Sequence, residues 1–197
     1  MLCLGDSYTI GQSVAEQDRF PNQAVSVLKS KNIFFSEPKI IAMTGWTTDE
    51  LANAIHTGND KNFYDIVTLL IGVNNQYRGR DTGKYRKQFD DLLQTAIHFA
   101  NERSNHVIVI SIPDWGATPF AEGRDRKKIA EEIDEYNRIN KEESARAGAQ
   151  YVDITSLTRE YNSAEYVAND GLHPSGKLYS LWVQRLTPVM ERIILGD

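Results

Sequence analysis

The sequence predicts an α/β fold, an open parallel sheet with helices on both faces. Two observations carry that expectation. Short apolar segments alternate five times with longer amphipathic ones, and some of the apolar segments are unbroken runs. A run such as Ile66-Val67-Thr68-Leu69-Leu70-Ile71 has no polar face, which suits a strand covered by helices on both sides. Right-handed crossovers leave few topologies for such a series.

Residues 1–5 form a short apolar strand ending at Gly5. A helix-compatible stretch runs from Val14 to Ser30, and Pro21 within it marks a fresh helical start, because proline is tolerated in the first turn and not deeper. Residues 38–43 form the second strand, with Ile40-Ile41-Ala42-Met43 bounded by Pro38 and Gly45. Thr48 to His56 reads as a short helix, since Leu51, Ala54 and Ile55 share a face. Asp65 to Ile71 is the third strand, and residues 72–83, rich in Gly, Asn and Arg, are expected to be a loop. The most periodic helix follows: Phe89, Leu92, Leu93, Ala96, Ile97 and Ala100 repeat at three and four, leaving Lys84, Arg86, Lys87, Asp91 and Gln94 for water. Val107 to Ile112 is the fourth strand, stopped by Pro113. A polar helix from Arg124 to Ala147 turns Ile129, Ile133, Tyr136, Asn137 and Asn140 toward the sheet and ends at Gly148. Tyr151 to Ile154 is the last strand, and the last helix runs from Ser175 to about Ile194 on Leu178, Leu181, Trp182, Leu186, Val189 and Ile193.

Composition narrows the function classes. A chain of 197 residues suits one domain spanning 1–197, and 41% hydrophobic with 25% charged residues excludes a disordered or fibrous protein. Twenty-seven acids against 22 bases, a net charge of -5, argue against a nucleic-acid partner. Cys3 is the only cysteine, so no internal disulfide can form, and His56, His98 and His106 have no partners at ligand spacing; no metal is expected. Neither Gly-x-Gly-x-x-Gly nor a P-loop occurs, and no cofactor is implied. No apolar run approaches the roughly 20 residues that cross a bilayer, so stable membrane insertion is not expected. Met1 stands only six residues before Ser7: a leader removed upstream would place the protein in the periplasm or outside the cell, and its absence in the cytoplasm. Oligomeric state stays open.

In open α/β sheets ligands bind beyond the carboxyl ends of the strands. Ser7 follows the first strand, Gly45 the second, Asn74 the third and Asp114 the fourth. Near the other end of the chain stands Asp170-Gly171-Leu172-His173-Pro174. A serine becomes a nucleophile when a base takes its proton, the base needs a fixed tautomer, and the developing oxyanion needs donors aimed at it. Three residues of separation let the Asp170 carboxylate reach His173 Nδ1 while Nε2 faces outward. Each group alone has a plainer reading: a helix-capping serine, an Asp-Gly turn, a solvated histidine, a glycine turn and a loop asparagine.

Taken together, Gly5-Asp6-Ser7-Tyr8, Met43-Thr44-Gly45-Trp46, Gly72-Val73-Asn74-Asn75 and Asp170-Gly171-Leu172-His173 are similar, in order, to the four blocks of the SGNH hydrolases, also called the GDSL esterase/lipase family. The resemblance spans nearly the whole chain. It implies a three-layer sandwich around a five-stranded parallel sheet with flavodoxin-like order. It also implies a serine esterase with Ser7 as nucleophile, His173 and Asp170 as base and orienting acid, and an oxyanion hole of the Ser7 and Gly45 N–H groups and the Asn74 amide. One departure stands out: Asn75 occupies the position where the family usually has aspartate, which could change how that loop is tied down.

Trp46, Tyr77, Trp115 and Phe120 fall in loops at the expected mouth, where they could pack an acyl chain, stack on a sugar or simply close the core. Arg78 and Arg80 could meet an anionic leaving group or remain solvated. No long apolar lid separates the blocks, so the expected substrate is a small-molecule or glycan ester of a short acyl group such as acetyl. Two alternatives share the scaffold: a lysophospholipase or thioesterase, and a non-catalytic carbohydrate-binding module. The same three residues would serve either enzyme.

Overall fold

The computed structural model describes residues 1–196. Five parallel strands, β1 (Leu2–Gly5), β2 (Lys39–Ala42), β3 (Val67–Leu70), β4 (Val107–Ile110) and β5 (Gln150–Val152), form one sheet in the order β2-β1-β3-β4-β5. Gly5 pairs with Ala42 on one side and Leu70 on the other, so the carboxyl ends of the first three strands finish level. The three central strands are buried along their whole length, as unbroken apolar runs require, while edge strand β2 is partly exposed.

The helices in chain order are α1 (Ser7–Ile10), α2 (Phe20–Ser30), α3 (Thr48–Gly58), α4 (Val73–Tyr77), α5 (Thr82–Phe99), α6 (Arg126–Ala147), α7 (Thr155–Glu160) and α8 (Gly176–Leu195). Helices α2 and α8 pack together in one layer, and α5 packs against both α3 and α6 in the other. Phe20 of α2 meets Tyr179 and Trp182 of α8, with ring centroids 6.2 Å apart in both pairs. All three rings are fully buried, which joins the last helix to the head of the chain. Across the sheet, Tyr85 packs on Tyr136 at 4.4 Å, and its hydroxyl donates to Asn140 Oδ1 at 2.6 Å. That bond gives a buried hydroxyl the partner it needs.

Two local readings need correction, and two short helices went unread. Residues 72–83 are not all loop: Val73–Tyr77 form one helical turn, with Val73, Asn75 and Gln76 buried. Five residues are too few for an amphipathic period, and this turn is held by tertiary contacts. The helix expected from Val14 begins only at Phe20, with Pro21 in its first turn as anticipated and a 3₁₀ turn at Glu16–Asp18 before it. Helices α1 and α7, with four and six residues, gave no periodic signal for the same reason.

Candidate active site

The site lies where β1, β2 and β3 end. Gly5 closes β1 under strict steric limits: a Cβ there would sit 2.2 Å from Thr9 Oγ1 and 2.4 Å from the Leu70 carbonyl oxygen. Only glycine lets the chain turn so tightly against β3. Asp6 then caps α1, accepting the Tyr8 N–H at 3.0 Å, and Ser7 becomes the first residue of that helix, with 4% of its surface exposed.

From the far end of the chain, His173 Nε2 comes within 2.8 Å of Ser7 Oγ. His173 Nδ1 lies 2.7 Å from Asp170 Oδ2, so the tautomer with its proton on Nδ1 leaves Nε2 free to accept from the serine. The Tyr8 ring packs against the imidazole at 4.9 Å. Asp170 Oδ1 accepts the N–H groups of Leu172 and His173, each at 2.9 Å, and Oδ2 accepts the Ser13 hydroxyl at 2.6 Å. Partial burial opposes charge on Asp170, but these hydrogen bonds outweigh it and hold the carboxyl well below the usual carboxylate range.

The second aspartate has the opposite environment. Asp6 is fully buried, and desolvation pushes its carboxyl up to about 7 against the weaker pull of the Tyr8 N–H and the Asn74 amide. Asn74 Nδ2 donates to the Trp46 carbonyl at 3.0 Å, while its contact with Asp6 Oδ2 is a long 3.4 Å. An amide nitrogen has two hydrogens, so one is spent on Trp46 and the other is only loosely held.

Gly45 has φ +85, a conformation that side chains disfavour, and its carbonyl accepts Arg78 Nη2 at 2.7 Å. Among the described residues, the N–H groups of Ser7 and Gly45 meet no protein acceptor. Beyond Gly45, the Thr47 N–H donates to Glu50 at the start of α3, which fixes the loop's exit. Asn75 ties this loop to α4: its Oδ1 accepts the Thr48 N–H at 3.1 Å and its Nδ2 donates to Thr48 Oγ1 at 2.8 Å. The amide thus uses both ends on one residue, and Thr48 Oγ1 passes its own proton on to Gln88.

Ser7 and His173 open into a cleft of about 150 Å³ walled by Tyr77, Trp115, Phe120 and Leu172, with Asn74 at its edge. Tyr77 and Trp115 meet edge to face at 5.2 Å, and Trp115 and Phe120 do so at 6.0 Å. The wall is fixed in place, because Trp115 Nε1 donates to Gln76 and the Phe120 N–H to the Gly171 carbonyl beside Asp170. Trp46 is placed differently from the other three aromatics: its ring packs half-buried against the core, and it contributes its carbonyl to the site. Arg78 is spent on Gly45 and Glu50, and Arg80 is exposed. Asp114 is turned to Arg159, 2.8 Å away.

Ser13, Leu172 and Arg124, which stacks on the aromatic wall, had no local sequence signal. Their positions depend on loops that meet only in the folded chain. Among the described residues, no group of three His, Cys, Asp or Glu side chains is placed to hold a metal ion, and no helix is long and apolar enough to cross a membrane.

Solved structures with the same fold include TesA, at TM-score 0.75 and 14% identity over 98% of both chains. A lipolytic protein of the G-D-S-L family from Veillonella parvula DSM 2008 matches at 0.72 and 19% identity over 97% of both. A variant of Axe2, an acetyl xylan esterase from Geobacillus stearothermophilus, matches at 0.65 and 15% identity over 96% of this chain and 93% of its own. No curated protein matches the chain. The model of the GDSL-like Lipase/Acylhydrolase family matches residues 3–181, nearly the whole length, and the chain belongs to that family of hydrolases.

Proposed function

We propose that this protein is a serine esterase that cleaves short-acyl carboxylic esters, with the whole chain serving as one catalytic domain. The reading rests above all on one observation: Ser7 Oγ, His173 and Asp170 form an unbroken relay at 2.8 and 2.7 Å across 166 residues of sequence separation. His173 Nε2 takes the Ser7 proton as Oγ attacks the ester carbonyl. The oxyanion is received by the two N–H groups without acceptors, those of Ser7 and Gly45, and by the loosely held hydrogen of Asn74 Nδ2. Collapse breaks the ester C–O bond, and His173 returns the proton to the departing alcohol. Water then attacks the acyl-enzyme with the same proton transfers, freeing the acid and Ser7. Asp170 stays ionised throughout, orienting the imidazole and balancing its charge.

A cleft of about 150 Å³ lined by three aromatic rings favours an acetyl or similarly small acyl group over a fatty chain. The acetyl xylan esterase among the structural neighbours makes an acetylated sugar a reasonable natural substrate. Intact-mass analysis after fluorophosphonate treatment is the direct test: one phosphonyl adduct on the protein and none on Ser7→Ala is expected. Absence of the adduct together with silence on 4-nitrophenyl acetate would reduce the scaffold to a binding module. Preference for C8 or longer esters would move the assignment to a lysophospholipase or long-chain thioesterase.

A further inference from the structure

Arg124 lies in the short connection between Phe120 and α6, and its guanidinium carbon is 5.6 Å from the Tyr77 ring, 5.6 Å from Trp115 and 5.8 Å from Phe120. These are the rings that wall the cleft next to Ser7 and His173. Attraction to the ring faces holds a planar cation in place without using its N–H groups. Its one polar contact is long, Nη2 to the Tyr77 hydroxyl at 3.4 Å. Other arginines nearby are committed: Arg78 to Glu50 and Gly45, Arg126 to the Gly116 carbonyl, Arg159 to Asp114 and Asp134. The adjacent carboxylate of Asp125 caps α6 through the Lys128 N–H, and among the described residues no acid forms an ion pair with Arg124.

Building on the esterase reading, we infer that the substrate carries an anionic oxygen group, a carboxylate or phosphate, and that Arg124 binds it at the rim of the aromatic wall. A guanidinium fork matches two oxygens of either group, and the rings beside it keep water from one face, which strengthens the contact. The wall takes the apolar body of the substrate while the arginine takes its charged end. In a chain of net charge -5, an exposed, unpaired cation against the rings that wall the cleft selects against neutral competitors.

Two matched pairs of esters test this. Phenyl acetate against 3-acetoxybenzoate places the anion on the alcohol, and phenyl butyrate against monophenyl succinate places it on the acyl group. For at least one pair, the anionic-to-neutral ratio of kcat/KM should fall about tenfold in Arg124→Gln and by less in Arg124→Lys, the effect of one partly desolvated charge-assisted contact. The pair affected tells which side of the ester faces Arg124. Competition by benzoate and by phenyl phosphate separates a carboxylate from a phosphate ligand. Ratios unchanged in Arg124→Gln for both pairs would overturn the inference, as would an equal rise for all four esters, which would make the arginine a plug. Calorimetric binding of 3-acetoxybenzoate and monophenyl succinate to Ser7→Ala, with and without Arg124→Gln, reads the same contact independently of turnover. Failure of the esterase reading would instead show as absent turnover and absent phosphonyl adduct, whatever those titrations report.

Discussion

Two aspartates flank Ser7, and the fold places them in opposite electrostatic states. Asp170, at the tail of the chain, keeps 30% of its side chain exposed and accepts from Ser13, His173 and two backbone N–H groups. Asp6, at the head, is fully buried with one good donor and one distant amide. The first is driven well below the ordinary carboxylate range, while the second is pushed up to about 7. Burial raises both carboxyls, and the outcome turns on how many donors oppose it. Only the carboxylate that has its donors can remain charged beside the imidazole proposed to gain and lose a proton. The one without them stands next to the amide proposed to receive the oxyanion, where a second negative charge would be unwelcome.

The contrast breaks most visibly through Asp170→Asn. The fold should survive, but the imidazole would lose its tautomer control, and kcat on 4-nitrophenyl acetate should drop by about three to four orders of magnitude. A loss below tenfold would remove Asp170 from the orienting role. Asn74→Ala, on the Asp6 side, should lower kcat by about a hundredfold or more, roughly 3 kcal/mol, with KM little changed. Unchanged turnover would leave the oxyanion to the backbone N–H groups alone.

The same contrast predicts a pair of opposite slopes in stability against pH, read by thermal or urea unfolding. The depressed Asp170 contributes stability above its unfolded value near 3.8, and that contribution is lost as pH falls. Ser13→Ala removes one of its donors, so the variant should be about 1 kcal/mol less stable at pH 7, with the deficit closing toward pH 3 and below. The raised Asp6 does the reverse, costing stability as pH rises from its unfolded value of 3.8 to about 7. Asp6→Asn should therefore gain on the natural protein across that interval and hold a constant difference above it. Parallel slopes for the two variants would mean that the aspartates do not differ as described.

Much of the fold was legible because burial writes itself into long segments. The unbroken Ile66–Ile71 run and the three-four spacing of Phe89 through Ala100 each required one kind of element, and β3 and α5 are there. The short turns α1, α4 and α7 were not legible, since four to six residues complete too little of a period. Within the site, the residue types and their places at strand ends could be read. The use of Asn75 could not. Its amide gives one bond and accepts another on Thr48, so the loop is tied without the usual carboxylate.

The order of residues alone settled the class of sheet, the strands that end at the site, and the chemical groups available there, because hydrophobic period and residue chemistry are local properties of a chain. Tertiary structure decided which groups meet. Ser13 reaches Asp170 across 157 residues, Trp46 packs its ring against the core and offers its carbonyl, and Arg124 settles on rings drawn from α4 and from the segment between β4 and α6. The charge states of the two aspartates were decided there as well, since donor count and solvent access are sums over neighbours that chain folding alone brings together.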